Sequence, residues 1–248
     1  MSISKLEGKV ALVTGGSRGI GAAIAKRLAA DGASVALTYV TNTAKADDVA
    51  EQIRRSGARA LTIKADNADP AEVAAAVEQT VTELGGIDIL VNNAGIFIAG
   101  PLDDITVEQL DQMWAVDVKA VFVASQAASR HMPEGGRIIT IGSALAERLP
   151  SPGMTVYAMC KSALTGMTKG LARDLGPKGI TVSVIQGGLI DTDMNPADSP
   201  IAEIMRTIPA LGRYGTTDEI AGLVAYLAGS ESSYVTGSAI TVDGGFVA

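Results

Sequence analysis

Short apolar runs alternate with amphipathic stretches of helical period along almost the whole 248-residue chain. The runs predict strands over Val10–Val13, Ser34–Tyr39, Ala60–Lys64, Ile87–Val91, Arg137–Ile141, Thr181–Ile185 and Ala239–Val242. Apolar positions three and four apart predict helices over Ile20–Ala30, Thr43–Ser56, Ala71–Leu84, Val107–His131, Val156–Leu175 and Asp218–Ala228. Strand–helix–strand units of this kind close by right-handed crossovers into a parallel sheet. The expected fold class is therefore α/β: a doubly wound, seven-stranded parallel sheet with helices on both faces. Asp69-Pro70 places proline at a helix start, and Gly57 and Gly176 follow helix ends. No fixed-period repeat, Pro/Ser-rich linker or charge block divides the sequence, so one domain is expected over residues 1–248. A domain of this size buries roughly 75% of the surface its unfolded chain exposes.

The first strand–helix junction has a composition of its own. Lys9–Gly21 reads KVALVTGGSRGIG. A glycine turn between a strand and a helix start lets bare backbone approach a pyrophosphate. The free N–H groups and the positive end of the helix dipole then attract the phosphates. Gly15, Ser17, Arg18, Gly19, Ile20 and Gly21 are accordingly expected to bind a dinucleotide. In such sheets ligands sit beyond the carboxyl ends of the strands. The segments following the other expected strands include Tyr39–Asn42, Asp66-Asn67, Asn92–Gly95, Ser143 and Gly187–Thr192, which hold nearly all the polar and glycine clusters of interest. An NAD site usually offers the ribose 2′-hydroxyl a carboxylate roughly 20 residues past the turn. Here Thr38–Asn42 reads TYVTN, and no acid appears before Asp47. With Arg18 in the turn, that absence favours NADP(H); the alternative leaves Arg18 in solvent and either cofactor bound.

Tyr157 and Lys161 stand four apart on an expected helix and so share a face. A tyrosine ordinarily titrates near 10, and a neighbouring ammonium favours its phenolate. Lowering that value by about 3 units takes roughly 4 kcal/mol of differential stabilisation. Tyr157 would then act as the acid in ketone reduction and the base in alcohol oxidation. Ser143, at a strand end, would hydrogen-bond the substrate oxygen. By spacing alone the Tyr–Lys pair is weak evidence, since such a pair is more often an ordinary surface pair.

Composition narrows the field. Formal net charge is −7, with lysines and arginines scattered, which argues against nucleic-acid binding. No run of about 18 apolar residues exists, so no membrane span is expected. The leading MSISKLEGKV lacks an apolar signal core, so a cytoplasmic protein is expected. One cysteine and one histidine do not supply a zinc ligand set, so no metal is expected. Cys160 reads as a packing residue and His131 as a helix-terminal cation. Met113 and Trp114 read as core or subunit contact. Met154, Met159 and Met194 fall near the cleft, with core filling as their default.

TGGSRGIG at 14–21, NNAG at 92–95, Ser143, YAMCK at 157–161 and VTGSAITVDGG at 235–245 together resemble the short-chain dehydrogenase/reductases. The similarity covers almost the whole chain and is greatest to members of the 3-oxoacyl-(acyl-carrier-protein) reductase type. The resemblance implies a Rossmann fold, NADPH as cofactor, and Ser143, Tyr157 and Lys161 as catalytic residues. It implies that Asn92, Asn93, Ala94 and Gly95 support the central strand beside the adenosine half and that Asp66 and Asn67 contact adenine. Tyr39 and Asn42 would lie at the ribose end. Gly188, Ile190 and Thr192 would hold the nicotinamide end. It also implies a homotetramer built through two long helices and the final strand. Three positions depart from the family pattern. Asp117 replaces an asparagine and joins the candidate catalytic set; it is expected to accept from a water and perturb Lys161, or merely to bend its helix. Gly187 replaces a proline, and Ser183 replaces an asparagine.

Residues 193–214 carry prolines at 196, 200 and 209 and apolar residues Ile201, Ile204, Met205, Ile208 and Leu211. They are expected to form a lid over a largely apolar pocket. Arg206 and Arg213 are as well read as solvent-facing. Lys178 suits an acidic carrier protein, but Glu134 is placed where a cation would help. A free carbonyl or alcohol substrate is therefore ranked above a carrier-bound acyl chain. The stretches MPEGGRI at 132–138 and DTDMNPA at 191–197 also resemble relatives thought to bind cyclic di-GMP, which leaves a nucleotide-binding regulator as an alternative of another class.

Overall fold

The computed structural model describes residues 5–248; residues 1–4, part of the leading stretch expected to lack a signal, lie outside the described residues. Its strands are β1 (Val10–Val13), β2 (Ser34–Tyr39), β3 (Ala60–Lys64), β4 (Ile89–Asn92), β5 (Arg137–Ile141), β6 (Thr181–Gly187) and β7 (Ser238–Val242). They form one parallel sheet in the order β3-β2-β1-β4-β5-β6-β7. The order reverses between β1 and β4, the point at which such sheets open a ligand crevice. Val13 pairs with both Leu37 and Val91, which brings the ends of the three central strands level.

The helices are α1 (Gly19–Ala30), α2 (Thr43–Arg55), α3 (Pro70–Leu84), α4 (Val107–Trp114), α5 (Ala120–Ala128), α6 (Thr155–Leu175), α7 (Ala202–Met205) and α8 (Thr217–Ala228). Successive strand side chains point to opposite faces, so each strand feeds two cores. Ala11, Val13, Val35 and Leu37 pack with Ile24 and Leu28 of α1, Val49 of α2 and Val224 of α8. Val10, Leu12, Ala36 and Leu90 pack with Val77 of α3 and Ala124 of α5. The inner strands β1, β2, β4, β5 and β6 are buried almost throughout, which is why they read as largely apolar runs rather than alternating ones.

One local expectation is corrected. The stretch Val107–His131 is not one regular helix: a π-helical turn, Ala115–Lys119, separates α4 from α5, and the helix ends at Ala128. His131 then lies past the helix, with Nε2 2.9 Å from Glu78 Oε1. Gly176 follows the last residue of α6, as expected, at φ −53° rather than in a left-handed conformation. The chain tightens into a short 3₁₀ turn, and Gly179, at φ 72°, supplies the reversal. Among the described residues no helix is long and apolar enough to cross a membrane.

Candidate active site

The glycine turn is shaped by contact. A Cβ on Gly21 would lie 2.4 Å from the Gly15 carbonyl oxygen and 2.5 Å from Asn93 Nδ2; one on Gly15 would meet Ala94 Cα at 2.9 Å. Only bare backbone closes this turn, and it leaves the start of α1, with Arg18 as an N-cap that makes no side-chain cap bond, open to an anion. This cradle fits a dinucleotide. Thr14 ties it to the next strand: its Oγ1 accepts from the N–H groups of Asn93 and Ala94 at 3.0 and 3.1 Å. Asn93 Nδ2 donates to the carbonyls of Thr14 and Gly15. Asn92 is buried and donates to Ser125 and Thr140. Thr14 has no glycine or charge to mark it in the sequence, yet it holds the two turns together.

The remaining nucleotide-side residues line the same edge. Tyr39 closes β2, half-buried, and Asn42 caps α2 by accepting from Lys45 N at 2.9 Å. Asp66 is exposed and accepts from Ala68 N, while Asn67 is buried. Lys45, absent from the sequence-level set, reaches Asp193 at 3.1 Å, and Arg18 approaches the same carboxylate oxygen at 3.9 Å. At the far end, a Cβ on Gly188 would collide with Asp243 Cα at 2.6 Å. Ile190 is buried and bridges to Gly215, and Thr192 pairs with Asn195. Gly187 carries no such demand, because its Cβ would meet only side-chain atoms at 3.6 Å or beyond.

The chemical group assembles around α6. Lys161 Nζ lies 5.5 Å from the Tyr157 ring centroid and donates to Asp117 Oδ1 at 3.0 Å. Asp117 is fully buried on the π-helical turn, and its Oδ2 accepts from Ile96 N at 3.3 Å. Asp117 thus touches the ammonium directly, in line with the expectation that it perturbs Lys161. Gly95 is required here: a Cβ would stand 2.5 Å from Asp117 Oδ1 and 3.3 Å from Lys161 Nζ. Burial by itself pushes the Lys161 ammonium down. The electrostatic pull of Tyr157 and Asp117, Asp117's hydrogen bond and a pull from Cys160 outweigh it and leave Lys161 above the usual lysine range.

Ser143, buried just past β5, caps a short 3₁₀ turn by accepting from Leu145 N at 3.2 Å. Its hydroxyl hydrogen therefore remains to be donated. Its own N–H donates to Gln186 Oε1 at 2.7 Å, and Gln186 Nε2 donates to Thr165 Oγ1 of α6 at 3.0 Å. Gln186 lies one residue past the strand expected over Thr181–Ile185, and nothing in the sequence singled it out. Ser162 of α6 donates to Ala146 O, which fastens the serine's turn to the helix bearing Tyr157 and Lys161. Phe97 sets its ring against Tyr157 at 4.9 Å and 68°, edge to face, and is itself 44% exposed.

Cys160 is fully buried among Met113, Val118 and Val156, the packing role expected of it, and Met113 is core. Several other expectations change. Trp114, Met159 and Met194 are exposed, so none fills the core. Glu134 and Lys178 do not flank the cleft within the chain: they precede β5 and β6 and so lie at the amino ends of those strands. In the 193–214 segment, Arg213 is exposed, as the solvent-facing reading has it, and pairs with Glu219, whereas Arg206 is half-buried over the Tyr214 ring. Ile201, Ile204 and Leu211 of that segment are exposed. Among the described residues, no group of three or more His, Cys, Asp or Glu side chains is arranged to hold a metal ion.

The chain matches, over residues 15–247, the family model described as enoyl-(acyl carrier protein) reductase. A short-chain dehydrogenase of Burkholderia cenocepacia J2315, solved in complex with NADP, superposes with a TM-score of 0.97 at 55% identity, covering 98% of this chain and all of that one (100%). The cyclic-di-GMP-binding biofilm dispersal mediator protein of Escherichia coli K12 is 46% identical over 239 residues, 96% of this chain and 97% of that protein. Versicolorin reductase 1 of Aspergillus parasiticus is 39% identical over 254 residues, 97% of each. With its glycine turn, strand order and relatives all in agreement from end to end, the chain belongs to the short-chain dehydrogenase/reductase family.

Proposed function

We propose that the protein is an NADP(H)-dependent carbonyl reductase that converts a ketone to a secondary alcohol. The observation that carries this reading is that Ser143, with an uncommitted hydroxyl proton, stands on a turn bonded to α6, the helix that sets Tyr157 beside a buried ammonium. Gly15, Gly19 and Gly21 with the start of α1 would hold the pyrophosphate, and Arg18 and Lys45 the 2′-phosphate. Ile190 and Thr192 would hold the nicotinamide end. When bound, the reduced nicotinamide is the source of the hydride. Ser143 donates a hydrogen bond to the substrate oxygen and so stabilises the negative charge developing there. Tyr157 delivers its proton to that oxygen, and Lys161 favours the phenolate that remains. The exposed Phe97 ring beside the phenol offers an apolar face, which suits a carbonyl compound with an aromatic or aliphatic body.

A regulator that binds cyclic di-GMP is a second reading, favoured by the name of the Escherichia coli relative and by the two stretches at 132–138 and 191–197. Within one chain those stretches stand at opposite ends of the sheet, before β5 and after β6. That placement speaks for the enzyme, since one chain does not bring them into a single pocket. The test is NADPH oxidation across aryl ketones, β-keto esters and quinones, with Tyr157→Phe alongside. We expect turnover by the wild type, and a loss of about 10²–10⁴-fold in Tyr157→Phe with cofactor affinity retained. Dinucleotide binding without turnover of any carbonyl compound would favour the regulator.

A further inference from the structure

One buried amide joins three of the elements that carry the site. Gln186 lies near the end of β6, between Ile185 and Gly187, and is fully buried. Burying an amide is unfavourable unless its oxygen and its nitrogen both find partners. Here both do: Oε1 accepts from Ser143 N at 2.7 Å, and Nε2 donates to Thr165 Oγ1 at 3.0 Å. Strand β5 ends at Ile141, and Gly142 still donates across the sheet to Ile185 O at 2.7 Å. One residue further the acceptor is a side chain, that of Gln186. Filling the core does not account for an amide at this place, since Val182, Val184 and Ile185 of the same strand are buried and apolar.

The neighbours are built around this amide. Gly142 is bare where it passes: a Cβ there would stand 2.3 Å from Gln186 Oε1. Tyr157, Lys161 and Thr165 follow one another at a spacing of four and so share one face of α6. Gln186 therefore ties the backbone of Ser143 to the row of side chains that includes Tyr157. The Ser143 Oγ accepts from Leu145 N, which leaves its hydrogen to be donated. Two groups that must meet one substrate oxygen thus stand on separate elements, and a misplacement of about 1 Å costs on the order of 10²-fold in rate. The other fastening, Ser162 Oγ to Ala146 O at 3.1 Å, is exposed and acts further along the turn. The Gln186 bond is buried and acts at Ser143 itself.

We propose that Gln186 is a positioning residue that acts through Ser143, holding the serine hydroxyl where it and the Tyr157 phenol reach the same carbonyl oxygen. This rests on the reductase reading above. Gln186 itself neither gives nor takes a proton in the reaction. It also leads directly into Gly187–Thr192, the segment that would hold the nicotinamide end. A merely structural role would therefore disturb cofactor binding along with the rate, whereas a role through Ser143 changes the rate alone.

The experiment is a double-mutant cycle on the reduction of one ketone, with kcat, KM and the Kd for NADPH measured in the wild type, Gln186→Met, Ser143→Ala and the double variant. Methionine keeps the length of the side chain and removes the amide. Gln186→Met is expected to lower kcat by about 10- to 100-fold and to leave the NADPH Kd within about twofold. Ser143→Ala should lower kcat by about 10²–10³-fold. The double variant should then stay within about threefold of Ser143→Ala, because residues that act as a unit are not additive. If Gln186→Met costs the same factor in the Ser143→Ala background as in the wild type, or loosens NADPH as much as it slows the reaction, its role is structural and the proposal is overturned. Thr165 gives a second route should Gln186→Met not fold or Ser143→Ala be too slow to measure, since it is only half-buried. Thr165→Val removes the acceptor that orients the amide and should lower kcat about three- to tenfold with the NADPH Kd unchanged, and Thr165→Ser, which keeps a hydroxyl, should restore the rate to within about twofold. Equal rates in the two Thr165 variants would overturn the proposal. Failure of the wild type to reduce any carbonyl compound overturns the functional reading and this inference with it, whereas reduction with losses that multiply overturns this inference only.

Discussion

Single residues at this site take their properties from burial as much as from identity. Cys160 adjoins Lys161 in sequence, yet its thiol points into the apolar junction beneath α6 and is fully buried. Burial pushes it up to about 11; Asp117's charge adds to that, and Lys161 opposes it. At pH 8 it is a thiol with no access to solvent, so iodoacetamide should leave the native protein unmodified. It should label Cys160 fully once urea unfolds the chain, as read by mass spectrometry. Rapid labelling of folded protein would show that α6 opens far more readily than its packing implies. The sequence supported the packing role of Cys160, because Tyr157 and Lys161 were expected to project from a different part of the helix. It did not reveal Gln186 or the direct Lys161–Asp117 contact. Both depend on which side chains face each other across separate elements, and spacing within one element carries no such information.

At the level of elements, the strands and most helices were legible because this sheet is buried on both faces and its strands are unbroken apolar runs. The interruption at Ala115–Lys119 was not legible: WAVDVKA keeps its helical period, and only packing against α6 and the loop after β4 reveals the extra residue in the turn. Helix starts are more local and more readable. Thr216 caps α8, accepting from Glu219 N, while Glu219 returns a carboxylate to Thr216 N at 2.8 Å. Arg213 donates to both oxygens of that carboxylate. This pairing, with the backbone bond from Thr216, draws Glu219 down to about 2. Because its value is lowered on folding, its contribution is present above the ordinary glutamate range and fades as pH falls toward 2. Thr216→Ala should lower stability by about 1 kcal/mol in urea unfolding at pH 7. The gap between wild type and Glu219→Gln should close as the buffer is taken from pH 5 toward pH 2. A gap constant with pH would mean that the charge of Glu219 plays no part in holding the start of α8.

Across the whole molecule, segments far apart in sequence meet at the edge beside the glycine turn. Arg18 comes from the glycine turn, Lys45 from the first turn of α2, and Asp193 from the start of the 193–214 segment, 148 residues beyond Lys45. Lys45 and Arg18 both approach one oxygen of Asp193. All three side chains are about half exposed, so the pairs are screened and each is worth little alone, about 0.2–1 kcal/mol. Their interest lies in competition. Under the proposed function the two cations serve the 2′-phosphate, and in the free chain an internal carboxylate engages them first. Asp193→Asn should then tighten binding of 2′,5′-ADP by about two- to fivefold and leave 5′-AMP unchanged, since only the first ligand carries the competing phosphate. Lys45→Ala should weaken 2′,5′-ADP by a similar factor, again without effect on 5′-AMP. Titration calorimetry with both nucleotides reads the two variants directly. If Lys45→Ala weakened the two ligands equally, Lys45 would be serving the pyrophosphate side of the cleft or the fold of α2. If Asp193→Asn weakened 2′,5′-ADP, Asp193 would be orienting the cations for the phosphate rather than competing with it. A selective response from both variants would show that the opening segment of the proposed lid is released by the same phosphate that distinguishes NADP from NAD.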